Sequence, residues 1–134
     1  MEEQRIPHYA YLYFGAGLGL GVINQGQLVA GAFGNAGEIG HIPISTASGP
    51  APLESRLSRV SVQRYMATDV ALDIAALTRL YAKNDSRLLT WLNEASDALS
   101  QAVGIVENLF DPQTVILGGA MPKALLNHLL ENTE

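Results

Sequence analysis

The chain has 134 residues, a formal net charge of −5 and no cysteine. Without cysteine there can be no disulfides, cysteine-held iron–sulfur clusters or thiolate zinc sites, and the acidic charge argues against a nucleic-acid-binding face on this segment. The 48% hydrophobic and 16% charged composition is typical of a globular protein, and no apolar run reaches the roughly 20 residues of a membrane span. The acidic N-terminus lacks the cationic start of a signal peptide, so we expect a cytoplasmic protein with no membrane partner.

The first part of the chain is rich in glycine and is predicted to form strands and loops. Ten of the 13 glycines lie within residues 15–49. Aromatic and aliphatic residues favour a strand at the start of this region, and Asn-Gln-Gly-Gln is typical of a hairpin turn in which Gly26 supplies a positive φ. An antiparallel meander is therefore predicted, with strands at Tyr9–Phe14, 21–24 and 27–30 and a turn at 15–20. A further short strand is predicted at 41–44, and a proline-containing loop at 49–52.

The second part of the chain is predicted to be mainly helical. Apolar residues recur at spacings of three and four over residues 88–110, which indicates one long amphipathic helix that starts near 84–86 and ends before Asp111-Pro112. Two shorter helices precede it, one capped by Ser61 and one capped by Thr68 or Asp69. Residues 114–117 are predicted to be a short strand, buried by its apolar composition, and a last helix follows Gly118-Gly119.

Two sets of large side chains in the helical part are interpreted as structural. Arg56, Arg59 and Arg64 are expected to form a solvated helix face. Trp91, which lies beside the apolar stripe of the long helix, is expected to be a packing or dimer-contact residue rather than a platform for a sugar ring.

The run Gly-Ala-Gly-Leu-Gly-Leu-Gly at residues 15–21 is the most distinctive feature of the sequence. Successive glycines let the backbone approach a ligand closely and can point several amide N–H groups at phosphate oxygens. The run does not match the dinucleotide pattern G-x-G-x-x-G from Gly15, Gly17 or Gly19, and the chain has no Gly-Lys pair for a P-loop. By itself, the run is equally compatible with a structural tight turn between two strands.

A second glycine-rich loop at residues 34–41 carries two side chains that can bind hydroxyl groups. Glu38 accepts hydrogen bonds, His41 donates or accepts them, and the two lie three residues apart between glycines. Such a pair can address one polyhydroxylated ligand, although a Glu and a His in a loop are more often simply solvated.

Three blocks of the sequence together resemble the ROK family (repressor, open reading frame, kinase) of sugar kinases and sugar-responsive regulators. Residues 15–29 are similar to the family's second phosphate loop and its hairpin, residues 31–42 to its sugar-binding signature, and residues 111–120 to its adenosine-side loop. The blocks occur in the family's order and cover nearly the whole chain. The resemblance implies an α/β protein that forms part of an actin-like ATPase fold of the sugar kinase and heat-shock type, with a small β meander, helices and a short buried strand.

The resemblance also implies a set of site residues and a reaction. Its sugar-contacting positions fall on Glu38, His41 and Glu54. Its phosphate- and nucleotide-contacting positions fall on Gly15, Gly17, Gly19, Gly118 and Gly119, the last two just before a helix whose dipole favours an anion. The implied chemistry, in the full-length protein, is transfer of the ATP γ-phosphate to a hydroxyl of a hexose or N-acetylhexosamine, with Mg²⁺.

The chain departs from the family in the loop that follows His41. The family usually has a cysteine-rich loop there, of the form C-x-C-G-x-x-G-C-L-E, that forms a His/Cys₃ zinc site, whereas this chain keeps only the final Leu-Glu. A structural zinc site needs about four ligands, and the chain has only three histidines, His8, His41 and His128. We therefore expect no zinc and no other metal site, and we expect the three prolines between residues 43 and 52 to stiffen the loop instead.

The chain also lacks two parts of the family's catalytic machinery. None of its aspartates has the D-x-G-x-T pattern of the first phosphate loop, and its one Asn-Asp pair, at 84–85, is interpreted as a helix cap rather than as the catalytic aspartate. No residue is therefore assigned a catalytic role. Residues 1–134 are interpreted as a C-terminal fragment, with a glycine-rich β/loop region at 9–52 and a mainly helical region at 53–134.

Three functions are compatible with these features. The first is the C-terminal part of an ATP-dependent sugar kinase, inactive as an isolated chain. The second is the sugar-sensing domain of a ROK transcriptional repressor without catalysis, whose helix-turn-helix would lie outside this chain. The third is a structural remnant that only oligomerises, through the long apolar helix. The expected partners are a small-molecule sugar and a second copy of the chain in a homo-dimer, with no nucleic acid bound by this segment.

Overall fold

The computed structural model describes residues 7–15, 17–29, 39–68 and 72–133. In chain order, the elements are β1 (Tyr9–Phe14), β2 (Leu18–Asn24), β3 (Gln27–Leu28), β4 (Pro43–Thr46), β5 (Gly49–Pro52), a 3₁₀ turn (Leu53–Ser55), α1 (Arg59–Met66), α2 (Ile74–Ala82), α3 (Ser86–Phe110), β6 (Thr114–Gly119) and α4 (Lys123–Glu131). Among the helices of the described residues, none combines the length and the apolar character that a membrane span requires.

Four strands form one sheet in the order β3-β2-β1-β6. The predicted meander is confirmed: β1 and β2 are antiparallel and β2 turns into β3 at Gly26, which has a φ of +77°. Strand β3 ends at Leu28, however, short of the predicted range 27–30. The turn predicted at 15–20 is too long, because strand β2 already begins at Leu18. Leu18 and Leu20 alternate with glycines and are buried, so they follow the two-residue period of a strand.

Strand β6 closes the described sheet on the other side of β1. It runs parallel to β1, with Phe14 opposite Gly119, so the carboxyl ends of both strands lie at the same sheet edge. The prediction that this strand is buried is wrong, because β6 is an edge strand in the described sheet and only its Leu117 is buried. Ile116, on the opposite face, is 40% exposed beside the exposed rings of Tyr11 and Tyr13.

One hydrophobic core joins the inner face of the sheet to the helices. Alternate residues of β1 point into it, and the apolar stripe of α3 supplies its largest part. The predicted stripe is confirmed except at its end, where Phe110 is 41% exposed. Trp91 is fully buried and donates from Nε1 to Ser61 Oγ at 2.9 Å, as expected of a packing residue. Asp85 caps α3 as predicted, accepting the backbone N–H groups of residues 87 and 88.

The caps of the two shorter helices differ from the prediction. Ser58, not Ser61, caps α1, and Ser61 occupies the third helical position, where its side chain accepts the backbone N–H of Ser58. Asp73 caps α2, so Thr68 is not its cap. The alternative prediction, Asp69, lies outside the described residues. The first serine of a Ser-x-x-Ser pair takes the capping position because the second can then bond back to it.

The segment after His41 forms a hairpin rather than a strand followed by a loop. Strand β4 begins at Pro43 and β5 occupies the predicted loop, with Thr46 opposite Gly49 across a two-residue turn. His41 itself lies in a turn before β4. Proline suggested a loop here because it lacks the backbone N–H that a strand donates to its neighbour. In this two-stranded hairpin, however, the prolines can occupy positions whose backbone nitrogen points away from the partner strand.

Candidate functional site

The two ends of the β4–β5 hairpin bring two of the predicted sugar-binding residues together. Just outside the two strands, at the open end of the hairpin, Leu53 donates its backbone N–H to Ile42 O at 2.8 Å, and Glu54 donates its backbone N–H to Gly40 O at 3.0 Å. These bonds hold the backbones on either side of His41 and Glu54 side by side. Nδ1 of His41 lies 3.9 Å from Oε1 of Glu54, so one ligand can reach both side chains.

The carboxylate of Glu54 lies against two glycines. A Cβ atom on Gly17 would lie 2.9 Å from Glu54 Oε2, and one on Gly40 would collide with the same oxygen. Glycine at these positions therefore makes room for the carboxylate. Neither oxygen of Glu54 accepts a hydrogen bond from the described residues, and the side chain is 36% exposed, so it can accept hydroxyl groups from a ligand.

A cleft of about 380 Å³ opens beside this pair. It is lined by Gly17, His41, Pro52, Glu54, Ser55, Ser58, Val60 and Arg64. A second cavity of about 410 Å³ adjoins it along α1 and shares Val60 and Arg64 with it. The third predicted sugar-binding residue, Glu38, lies outside the described residues.

The predicted phosphate loop and the predicted nucleotide turn meet at the carboxyl ends of β1 and β6. Gly15 follows β1 and donates its N–H to Gly17 O at 2.9 Å, while Ala120, just after β6, donates to Phe14 O at 2.7 Å. Gly119 has a φ of +103°, and a Cβ there would collide with the backbone of Phe14. The predicted nucleotide turn therefore contacts the end of β1 through backbone atoms, directly before Gly15 of the predicted phosphate loop.

Gly19 and Gly118 lie within strands, and tyrosine rings cover both. Gly19 lies opposite Tyr13 in the β1–β2 pair, and a Cβ there would overlap the Tyr13 ring. A Cβ on Gly118 would overlap the Tyr11 hydroxyl in the same way. Both glycines thus have a packing role, a reason that the sequence pattern did not reveal.

Three residues in or beside the candidate site were not predicted from the sequence to belong to it. Ser58 and Arg64 line the cleft, and Arg59 joins α1 to the turn after β6 by donating from Nη1 to Ala120 O at 2.7 Å. Arg59 also donates to the backbone oxygen of Leu72, so its interpretation as part of a solvated face is wrong. The Ser-x-x-Ser spacing signalled the position of Ser58, whereas nothing in the sequence signalled the long-range bond of Arg59.

The histidines do not converge on a common centre. His8 accepts the backbone N–H of Gln25, His128 is bonded to the Tyr81 hydroxyl at 2.8 Å, and His41 lies beside Glu54. Across the part of the chain that the structure describes, no group of three histidine, cysteine, aspartate or glutamate side chains could hold a metal ion.

Comparison with known proteins identifies the family to which this sequence is similar. The ROK family model matches residues 2–133. The DNA-binding transcriptional dual regulator NagC of Escherichia coli is 29% identical over 126 residues, which cover 81% of this chain and 31% of the regulator. The glucokinase of Thermotoga maritima is 25% identical over 139 residues, which cover 87% of this chain and 44% of that enzyme.

The fold agrees with the sequence comparison. The ROK hexokinase of Thermus thermophilus superposes with a TM-score of 0.73 at 26% identity, covering 96% of this chain and 47% of the hexokinase. The expected fold, part of an actin-like ATPase, is therefore confirmed. The chain spans less than half the length of these relatives. Because a family model matches almost its entire length, the chain belongs to the ROK family.

Proposed function

We propose that this chain is the sugar- and nucleotide-facing C-terminal part of an ATP-dependent kinase for a hexose or N-acetylhexosamine. The observation that carries the proposal is the position of Glu54. Its carboxylate faces His41 on one side and Gly17 on the other, so groups suited to hydroxyls adjoin the loop suited to phosphates. Phosphoryl transfer requires this proximity between the sugar hydroxyl and the phosphate.

In this proposal, His41 and Glu54 orient the sugar, together with Glu38. Glu54 accepts hydrogen bonds from sugar hydroxyls through a carboxylate that has no donor among the described residues, and charge-assisted bonds of this kind are the strong ones. His41 is 77% exposed and completes the wall of the cleft. Ser55 and Ser58 also line the cleft, and their hydroxyls donate to the backbone oxygens of Pro52 and Glu54.

The proposed nucleotide site is the glycine edge, the sheet edge where β1 and β6 end and where Gly15, Gly17 and Gly119 lie. Gly15, Gly17 and Gly119 would hold phosphate oxygens of ATP, with Gly19 and Gly118 flanking them and the N-terminus of α4 close by in the chain. Glycine at these positions lets phosphate oxygens approach the backbone closely. These residues do not fit Mg²⁺ on their own, since the described residues offer no carboxylate cluster at this edge. ATP would supply the transferred phosphoryl group.

Zinc forms no part of the proposal. The chain has no cysteine, and each of its three histidines lies against a different element of the fold. We also propose that the protein is cytoplasmic and forms a homo-dimer. The mass of the particle in solution, measured by light scattering, tests the dimer.

A second candidate is the sugar-sensing domain of a ROK regulator. It is favoured by the 29% identity to NagC over 81% of this chain. The same cleft would bind the sugar, and no phosphate would be transferred.

Substitution of Glu54 tests the sugar site. We expect isothermal titration of the chain with glucose and with N-acetylglucosamine to detect binding of at least one sugar. Glu54→Gln removes the charge at almost constant size and should weaken that binding roughly 10- to 100-fold, the strength of a hydrogen bond to a charged group. Glu107→Gln, which removes an exposed carboxylate from α3, is the matched control and should bind as wild type does. Equal affinities for both variants would refute the assignment.

Titration with the ATP analogue AMPPNP separates the candidate functions. Binding of both a sugar and AMPPNP supports the kinase, and binding of a sugar without AMPPNP supports the regulator. A remnant that only oligomerises would bind neither.

A further inference from the structure

One side chain of α3 holds the hairpin that joins His41 to Glu54. The carboxamide of Gln101 makes two hydrogen bonds to the backbone of Ser45 in β4, 56 residues away along the chain. Ser45 donates its N–H to Gln101 Oε1 at 2.9 Å, and Gln101 Nε2 donates to Ser45 O at 2.8 Å. The carboxamide thus pairs with the edge of β4 as the backbone of a third strand would.

The register of the hairpin explains why strand β5 does not bond to these two groups of Ser45. In an antiparallel pair, hydrogen-bonded and non-bonded residue pairs alternate. Because Leu53 bonds to Ile42 at the base, the non-bonded pairs are Pro43–Pro52 and Ser45–Pro50. Proline therefore removes no donor from the ladder at residues 50 and 52. The same geometry turns the N–H and C=O of Ser45 away from β5, where Gln101 meets both.

A third hydrogen bond fixes the orientation of the carboxamide. Gln101 Nε2 also donates to Asp97 Oδ2 at 3.1 Å, one helical turn earlier on α3. If the amide were reversed, its oxygen would face the carbonyl of Ser45 and the carboxylate of Asp97, two acceptors. The arrangement therefore has one stable orientation, with the acceptor towards Ser45 N–H.

We propose that Gln101 is a positioning residue for the sugar site, an inference that rests on the proposed function. The side chains of His41 and Glu54 form no hydrogen bond with any described residue. The backbone of the hairpin between them therefore sets their position. Burial of Ile44 and Leu53 anchors the inner side of this segment in the core. The two bonds of Gln101 anchor its outer edge to α3, the longest helix of the fold.

Three variants of the 134-residue chain test the proposal by hydrogen exchange and by sugar titration. Gln101→Met keeps the size and the helix propensity of the side chain and removes both bonds to Ser45. Gln101→Glu keeps the acceptor for Ser45 N–H and loses the donor. Asn93→Ala, which removes an exposed amide from the same helix, is the control.

We expect Gln101→Met to speed exchange of the Ser45 amide about tenfold and to speed exchange of the Leu53 and Glu54 amides measurably. Affinity for the bound sugar should fall about five- to tenfold, since misplacement of a positioning group weakens binding. Gln101→Glu places a carboxylate oxygen against two acceptors, Ser45 O and Asp97 Oδ2, so it should also speed exchange of the Ser45 amide, which lost packing alone would not explain because the side chain keeps its size. Asn93→Ala should leave exchange and affinity unchanged.

The outcomes separate this inference from the proposed function. If the wild-type chain binds neither sugar, the proposed function fails, and exchange at Leu53 and Glu54 still decides whether Gln101 positions this segment. If Gln101→Met changes neither exchange at these amides nor sugar affinity, the inference is wrong. Faster exchange at Ser45 alone, without an effect on Leu53, Glu54 or sugar affinity, would also overturn it.

Discussion

Glycine serves different purposes at different positions of this chain. Gly26 and Gly49 have positive φ and open space around them, so only the backbone conformation requires glycine. Gly119 has positive φ as well, but it also lies against the backbone of Phe14, where β1 and β6 end together. Gly17 makes room for the Glu54 carboxylate. A glycine count alone cannot distinguish these roles, because each depends on a neighbour distant in sequence.

Alanine substitution separates conformation from close approach. Gly119→Ala combines a strained φ of +103° with a collision against Phe14, and we expect it to lower the free energy of unfolding by about 2–4 kcal/mol. Gly49→Ala, with a similar φ of +112° and nothing nearby, should cost about 1–2 kcal/mol. Urea unfolding followed by circular dichroism measures both. Equal losses would mean that the approach to Phe14 is easily relaxed.

At the scale of elements, α1 is tied to α3 by a buried and a half-buried contact. Trp91 Nε1 donates to Ser61 Oγ in the core, and the Tyr65 hydroxyl donates to Glu94 nearer the surface. Burial, together with the hydrogen bond and the charge of Glu94, raises the pKa of Tyr65 to about 12 from its usual 10. The position of α1 matters because the cleft beside Glu54 is partly lined by this helix.

The raised pKa of Tyr65 predicts a specific loss of stability in alkali. The unfolded state releases the tyrosine proton near pH 10 and the folded state near pH 12, so the stabilisation is complete below pH 10 and disappears between pH 10 and pH 12. Wild type should therefore exceed Tyr65→Phe in stability by about 1 kcal/mol at neutral pH, and this difference should vanish at high pH. Urea midpoints of both proteins from pH 8 to pH 11 measure it. Tyr13→Phe, which removes an exposed hydroxyl, is the control, and a pH-independent difference for Tyr65→Phe would contradict the prediction.

Elements with a long periodic pattern were predictable from the sequence, and those that depend on tertiary pairing were not. The apolar stripe of α3, with Asp85 at its start, determined that helix almost completely. Strand β5 was missed because its prolines argue against a strand unless the register places them at non-bonded positions. The cap of α1 was misplaced by three residues because Ser58 and Ser61 are equally good caps in isolation.

At the scale of the whole molecule, the sequence pointed to the candidate site but not to the contacts that assemble it. His41 and Glu54 are 13 positions apart, yet the hairpin between them places their side chains 3.9 Å apart. Motif resemblance placed both on sugar-contacting positions without revealing that a hairpin joins them. Arg59 and Gln101 belong to no motif, and each makes hydrogen bonds that only the folded chain creates.

The composition of the site predicts binding without turnover for this chain. In the proposed function, Glu54 and His41 would bind a sugar and the glycine edge would bind a phosphate, but no described residue there is assigned as the base for the attacking hydroxyl. General-base catalysis contributes about 10²- to 10⁴-fold, and positioning of the second substrate contributes more. A coupled assay with ATP, Mg²⁺ and glucose or N-acetylglucosamine should therefore detect no sugar phosphorylation by the 134-residue chain, even at concentrations where titration shows the sugar bound. Glu54→Gln, purified in parallel, gives the background rate. Phosphorylation above that background would show that these residues carry a complete phosphotransferase site.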